Sequence, residues 1–390
     1  MRILTVLTYY RPHTSGLTIY AERLARALAL SGHQVTILTA QFDKTLPLEE
    51  GKDGVSIRRV PVFMRISKGV IMPTLGLVAT QEIRRHDALL LHLPQFDAAG
   101  LAFRGRLLKK PTIIIYHSDL FLPPGLFNRV VNAVIDLMNK LAAIFTHRIS
   151  SYTEDFANHS PYLRKFAKKV RVIAPAVELP EAGPEEVRAF ARKHNPNDNH
   201  PVIAMATRFA AEKGVELLLQ ALPDVFQKFP KAVVWFAGQY KDVLGEEEYK
   251  RRLWPQIQEL IASDQWKFLG TLSMREMATF YPNIDLLVVP STNSTETFGL
   301  VQIEAMMNSK PVVASNLPGV RQPVRMTGIG KVTPVGDSKA LAQNMIDVLS
   351  NQGEFADGQN LREEFSPRIC ASRHEDLFRE IAAELGQRLE

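Results

Sequence analysis

Two glutamates stand eight positions apart in Ser291-Thr-Asn-Ser-Thr-Glu296-Thr-Phe298-Gly299-Leu300-Val-Gln-Ile-Glu304-Ala-Met306, the first on a polar loop and the second on the helix expected after it. An ionised carboxylate is a pure acceptor. Sugars and riboses present adjacent hydroxyl donors, so each glutamate can hold one ring. Gly299 falls where loop gives way to helix, and free backbone N–H groups at a helix start favour an anion such as a diphosphate. Acidic charge near a helix start is also favourable on any surface helix, so the spacing alone leaves both readings open.

Cations and a histidine occupy comparable places. Arg208-Phe-Ala-Ala-Glu212-Lys213-Gly214 lies between an apolar run, Val202–Ala206, and a helical pattern. Positive charge at a helix start opposes the helix dipole and needs a reason. His117 follows Thr112–Tyr116, and His92 follows Ala88–Leu91; strand ends of this kind bind ligands in open α/β sheets, although a lone histidine is more often structural. For His92 the alternatives are a place facing the acceptor and a structural role, and the structural reading is preferred. Ser15-Gly16 ends the loop after the first strand, where a glycine lets backbone approach a ligand or simply makes a turn. Gly238 ends another strand-like run.

These residues require a scaffold that gathers strand ends on one edge. Apolar runs at Arg2–Thr8, Gln34–Thr39, Ser56–Val62, Ala88–Leu91, Thr112–Tyr116, Arg148–Ser151 and Val170–Ile173 alternate with helical patterns such as Thr18–Leu30. The alternation restarts at Val202–Ala206, Ala232–Ala237, Lys267–Leu269, Leu286–Val289 and Pro311–Ala314, with helices at Val215–Phe229, Glu246–Ala262, Met274–Tyr281 and Gly299–Met307. Ser273 and Asp337 are expected N-caps. Strands alternating with helices predict parallel sheets. A Pro-, Glu- and Asn-rich stretch at Glu178–His200 marks the boundary, giving domains at 1–178 and 179–366 with the linker near Ala174–Leu179.

With 390 residues, 46% hydrophobic and 23% charged, the chain suits a globular protein of two or three domains. Cys370 is the only cysteine, which fits a reducing, cytoplasmic setting. The N-terminus reads as a strand rather than a signal peptide, and no apolar run reaches the roughly 20 residues of a membrane span. Residues 1–178 carry 24 Lys+Arg against 13 Asp+Glu, a net +11, which leaves 23 against 28, or −5, for the rest. A basic half points to an anionic partner. Without any helix-turn-helix, zinc-finger or RNA-binding signature, a membrane surface is preferred to nucleic acid. No G-x-G-x-x-G follows either first strand, and no P-loop, D-x-D, G-x-S-x-G or His/Cys ligand spacing occurs. Nicotinamide, NTPase, metal-dependent and serine-hydrolase chemistry therefore lack support, and neither a cofactor nor a metal is expected.

The Glu296–Glu304 stretch, continuing into Lys310-Pro-Val-Val-Ala-Ser315, resembles the E-x7-E signature of retaining glycosyltransferases, and more narrowly glycosyltransferase family 4 (glycosyl transferases group 1). The resemblance covers essentially the whole chain and is strongest over about 200–350. It implies a GT-B fold, two Rossmann-like domains facing across a cleft, with a C-terminal helix of about 367–390 returning to the first. It implies that Arg208 and Lys213, as the family's R-x4-K-G loop, neutralise charge left on the β-phosphate. Arg engages two phosphate oxygens and Lys acts as a point charge. Glu304 would hold the ribose, Glu296 and His117 the sugar, and Gly16, with Ser15, a phosphate. Gly238, Phe298, Gly299 and Leu300 would complete the donor site. Asn308-Ser309, Ser15 and Arg321-Gln322 stand where the family often has Gly, Gly and Glu.

The expected reaction is retaining transfer from a UDP- or GDP-sugar to a glycan or lipid acceptor, the second domain binding donor and the first acceptor. A nucleotide-sugar epimerase or hydrolase, and a non-catalytic sugar-nucleotide-binding protein, are the alternatives. Two stretches mix basic and apolar residues: Arg58–Arg85, with Arg65, Lys68, Arg84, Phe63, Met64, Ile66, Val70, Ile71, Met72 and Leu75 among them, and Phe121–Phe145, with Arg129 and Lys140. Such mixtures suit the anionic inner leaflet of a membrane, or a core-facing helix with a solvated basic edge.

Overall fold

The computed structural model describes residues 1–66, 69–119, 125–351, 353 and 355–389. The chain forms two compact units, Met1–Ala176 with Phe365–Glu390, and Val177–Glu364.

The first unit is built on β1 (Arg2–Val6), β2 (Gln34–Gln41), β3 (Glu49–Lys52), β4 (Val55–Pro61), β5 (Met64–Ile66), β6 (Gly69–Ile71), β7 (Ala88–Leu93), β8 (Thr112–Tyr116), β9 (Arg148–Ser151) and β10 (Val170–Val172). Eight of these make one sheet in the order β10-β9-β8-β7-β1-β2-β4-β3, parallel except for the β3–β4 edge pair, while β5 and β6 pair as a separate antiparallel ribbon. Strand order reverses between β1 and β7. The central strands are continuous apolar runs because helices cover both faces of a parallel sheet: Leu4, Val6, Leu89, Leu91 and Ile114 are all buried.

The second unit holds β11 (Val202–Ala206), β12 (Val233–Ala237), β13 (Trp266–Gly270), β14 (Leu286–Val289), β15 (Val312–Ser315) and β16 (Gly330–Thr333), all parallel, in the order β13-β12-β11-β14-β15-β16. Numbered within the unit, that is 3-2-1-4-5-6, the doubly wound order whose ligand crevice lies where the order reverses, here between β11 and β14.

Every strand expected from the sequence forms, four with the expected ends and the others with ends shifted by at most two residues. Four were not anticipated: the edge strands Glu49–Lys52 and Gly330–Thr333, and the two strands of the ribbon, Met64–Ile66 and Gly69–Ile71. Glu49–Lys52 is a polar antiparallel edge, and edges are where charge is tolerated; Gly330–Thr333 buries only Thr333, whereas its partner Val312–Ser315 is buried at all four positions. The first helix, Gly16–Leu30, begins two residues earlier than expected because Ser15 caps it: Thr18 N–H donates to Ser15 Oγ and Ser15 N–H to Thr18 Oγ1. Ser273 and Asp337 cap their helices as expected. The last helix, Pro367–Glu384, is part of the first unit. It buries Cys370, His374, Leu377, Phe378 and Ile381, and Glu380 pairs with Arg148 at 2.7 Å. No described helix is long and apolar enough to cross a membrane.

Candidate functional site

In the second unit the loops after β11 and β14 are stitched together at the reversal of strand order. Thr292 N–H donates to Glu212 C=O at 2.9 Å, and Lys213 Nζ donates to Glu296 Oε2 at 2.6 Å. Both side chains of this pair are mostly buried. Gly214 makes the approach possible. It takes φ +70°, and a Cβ there would stand 2.0 Å from Pro290 C=O at the end of β14. Residues 83 apart in the chain are thus brought into contact by strand order alone.

Arg208 stays within its own loop, where its guanidinium, half exposed, donates to Glu212 at 3.1 Å. Gly238 lies directly against that loop: with φ +140°, a Cβ would meet Thr207 C=O at 1.9 Å. Flanking bonds from Thr207 N–H to Ala237 C=O (2.8 Å) and from Phe209 N–H to Gln239 C=O (2.8 Å) fix the same approach. Gly238 is therefore needed by the fold, as the cradle for the residue before Arg208. Gly16 differs. It has ordinary φ and, among the described residues, nothing lies within 4 Å of a Cβ built there. Gly238→Ala is expected to cost about 2–4 kcal/mol, the scale of a strained backbone site plus a clash. Gly16→Ala should leave stability unchanged or raise it by up to about 1 kcal/mol, as alanine restricts the unfolded chain. Urea midpoints of the two variants check this; equal midpoints would contradict it.

Glu304 is buried on the short helix Leu300–Met306, and its Oε2 accepts from the Tyr281 hydroxyl at 2.8 Å. Gln302, wholly buried, ties two neighbouring loops by donating to Phe298 C=O (2.6 Å) and Val320 C=O (2.9 Å). Gly299 caps the helix with φ +75°, a conformation favouring glycine. The Phe298 side chain belongs to the core, so only its main chain can serve a ligand; Leu300 is half-buried. Tyr281 and Gln302 were missed in the sequence. Their signal was faint, a polar residue two before Glu304 and a tyrosine followed by proline at the end of a short helical pattern.

The first unit contains Ser15, Gly16 and His117. Ser15 is a helix cap. His117 is buried, and both ring nitrogens have protein partners: Nε2 lies 2.8 Å from His92 Nδ1, and Nδ1 lies 2.5 Å from the Tyr152 hydroxyl. Burial pushes the His117 imidazolium down to about 3, and burial beside His117 pushes His92 well below the usual range, so both rings are neutral. Among the described residues no group of three or more His, Cys, Asp or Glu could hold a metal.

The basic and apolar stretches divide. Val70, Met72 and Leu75 join the first unit's core, Arg58 pairs with Glu82, and Arg59 is buried against Glu50 and Pro47 C=O. Phe63 is 78% exposed, and Met64, Ile71 and Leu77 are exposed with Arg84 and Arg85. On the helix Leu126–Phe145, Val130, Val134, Leu137 and Ile144 are exposed at helical spacing. Lys68 and residues 120–124 of these stretches lie outside the described residues.

Two parallel α/β units of this construction have the architecture of the GT-B fold. The chain matches the structure of Anabaena HepE in complex with UDP and glucose with a TM-score of 0.76 at 18% identity, covering 96% of this chain and 98% of that one. Residues 14–181 match the family described as Glycosyltransferase Family 4, and residues 186–368 match Glycosyl transferases group 1. A phosphatidyl-myo-inositol mannosyltransferase of Mycobacterium leprae is 34% identical over 357 residues, 90% of this chain and 88% of that protein. The alpha-monoglucosyldiacylglycerol synthase of Streptococcus pneumoniae is 26% identical over 333 residues, 82% and 72% respectively. The chain belongs to glycosyltransferase family 4.

Proposed function

We propose that this glycosyltransferase moves a hexose, with retention at the anomeric carbon, from a nucleotide diphosphate-sugar to a lipid or lipid-linked acceptor. The observation that carries the donor half is the Lys213–Glu296 pair at the strand-order reversal of the second unit. A lysine already beside a carboxylate there can pass to an incoming diphosphate, leaving Glu296 as acceptor for sugar hydroxyls. Arg208, with Gly238 supporting its loop, is the second cation. Glu304, oriented by the Tyr281 hydroxyl, is the acceptor for the ribose hydroxyls. Gly299 and the main chain at Phe298 and Leu300 complete the donor site. His117 and Gly16 serve the sugar and acceptor side, in the first of the domains, 1–178 and 179–366. HepE bound to UDP and glucose supports the donor class.

UDP or GDP is expected to raise the melting temperature, because a ligand bound only by the folded state shifts unfolding by RT ln(1 + [L]/Kd). At a hundredfold excess over Kd this is about 2.7 kcal/mol, or roughly 5–10 °C for a unit this size. A chelator should leave the shift intact. No shift by either diphosphate at millimolar concentration would remove the donor assignment.

The lipid side rests on surface and relatives together. Phe63, Met64, Ile71 and the stripe Val130, Val134, Leu137, Ile144 are exposed and apolar, with Arg84, Arg85 and Arg129 exposed on the same unit. Two relatives are named for lipid glycosylation. Peripheral docking on an anionic inner leaflet follows, each basic residue at the surface contributing about 1 kcal/mol, screened within a Debye length of about 10 Å. Co-sedimentation with anionic liposomes should be strong at low salt and fall at high salt. Equal, negligible binding to anionic and neutral liposomes would place the acceptor in the soluble pool.

A further inference from the structure

Three adjacent strands of the first unit each deliver one polar side chain to the same spot. His92 is on β7, His117 just beyond β8, and Tyr152 just beyond β9. Register brings them together: His92 pairs with Ile115 and Ile115 with Ser150, so His117 and Tyr152 are each two residues past a paired position. The result is a chain of two contacts, Tyr152 hydroxyl to His117 Nδ1 at 2.5 Å and His117 Nε2 to His92 Nδ1 at 2.8 Å. Tyr20 closes one side. Its ring is 5.3 Å from both His117 and Tyr152, and its hydroxyl reaches Cys370 Sγ of the last helix at 3.6 Å. All three members are buried.

Protons can run along this chain in two directions. If His117 Nε2–H donates to His92, then His92 carries its own proton on Nε2, which is buried and among the described residues has no acceptor. If His92 Nδ1–H donates to His117, the buried Nε2 is a bare lone pair. An orphaned buried N–H is rarer than an under-used acceptor, so the second direction is favoured. His117 Nδ1–H then donates to the Tyr152 oxygen.

We propose that His92 and Tyr152 are positioning residues for glycosyl transfer: they hold His117 in one plane and as the Nδ1–H tautomer, with Nε2 occupied by His92. This rests on the reading of His117 as part of the sugar site. Neither ring nitrogen then titrates or takes a proton from the acceptor. What the pair secures is a fixed wall for the reacting sugar, and loss of such a wall shows in turnover rather than in donor affinity, because misplacement near the reacting centre costs rate.

Two measurements test it. With 15N-histidine, long-range proton–nitrogen correlation on the wild-type protein should report Nδ1–H tautomers for both His92 and His117 between pH 6 and 8. In kinetics, His92→Leu and Tyr152→Phe should lower kcat about ten-fold or more with donor KM little changed. His92→Asn, whose amide N–H sits near the position of Nδ1, should recover most of that loss. His92→Gln, whose amide reaches the Nε2 position, should not. An Nε2–H tautomer at either histidine, wild-type turnover in His92→Leu, or equal rescue by Asn and Gln overturns the proposal. A wild-type protein that transfers no sugar from any donor refutes the proposed function instead, and the tautomer measurement still decides the geometry.

Discussion

Lys213→Ala is expected to lower kcat by two or more powers of ten in the folded enzyme. Breaking the sugar–diphosphate bond leaves negative charge on the β-phosphate, and a preorganised cation beside it acts where charge develops. Removing one such group costs roughly 3–4 kcal/mol in comparable sites. Because both side chains are mostly buried, losing one partner also leaves an uncompensated carboxylate and lowers stability, so the melting temperature is measured beside turnover. The pair also complicates the reading, since the variant leaves Glu296 beside the incoming diphosphate without its counter-charge. The double variant Lys213→Ala/Glu296→Gln separates the two effects: if turnover recovers when the carboxylate is neutralised, repulsion was the cause, and if it does not, the ammonium was. Arg208→Ala should behave like Lys213→Ala, with a smaller loss because Arg208 is half exposed and can be replaced in part by solvent. Glu304→Gln should mainly weaken donor binding, as an amide oxygen can still accept from Tyr281 but no longer draws the ribose hydroxyls as strongly. Steady-state kinetics with donor varied decides this, and near-wild-type turnover in Lys213→Ala removes the leaving-group role.

The alternation of apolar runs and helical patterns made the two parallel sheets legible, because buried parallel strands are apolar along their whole length and their helices keep a 3.6 period. The strand-end position of Arg208, Lys213, Glu296 and His117 was legible for the same reason. What could not be read was adjacency. That β11 lies beside β14 rather than β13 is a property of the doubly wound order, and only this puts Lys213 against Glu296. Gly238 was marked as a strand-end glycine, but its cause, the carbonyl of Thr207 at 1.9 Å from any Cβ, belongs to a loop about 30 residues away. His92 was read as structural on its own. Its contact with His117 depends on β7–β8 register, which a single strand's pattern does not specify. Polar Glu49–Lys52 and Gly-led Gly330–Thr333 escaped notice because pairing, not composition, makes them strands.

Acid is expected to unfold the first unit well before the second. His92, His117, His147 and His374 all lie in the first unit, all are buried, and burial holds each below the ordinary histidine range, to about 3 for His117 and about 4 for His147 and His374. Desolvation is the main obstacle to a second proton at each ring, and at His147 a lost hydrogen bond adds to it. His147 Nδ1 accepts from Thr112 N–H at 3.2 Å and would lose that bond on protonation. His374 Nδ1 lies 2.8 Å from Cys370 C=O, and its Nε2 is buried without a partner among the described residues. A folded value below the unfolded one means that the unfolded chain binds more protons, so stability is full above about pH 6.5 and falls as pH drops toward the folded values near 4. By pH 5 His147 and His374 each forfeit about 2 kcal/mol, roughly 4 kcal/mol together, with the His92–His117 pair adding in the same direction. Against a typical domain stability of about 5–15 kcal/mol this is a large share. The chain supplies its own reporter for the other half: its three tryptophans, Trp235, Trp254 and Trp266, are all in the second unit. Melts at pH 7 and pH 5 should therefore diverge by probe. Far-UV circular dichroism at pH 5 should show an early transition that tryptophan fluorescence does not follow, and His374→Gln should move that transition less with pH than the wild type. Coincident transitions by both probes at pH 5, or a first-unit melt that ignores pH, would show that the neutral histidines do not govern acid stability.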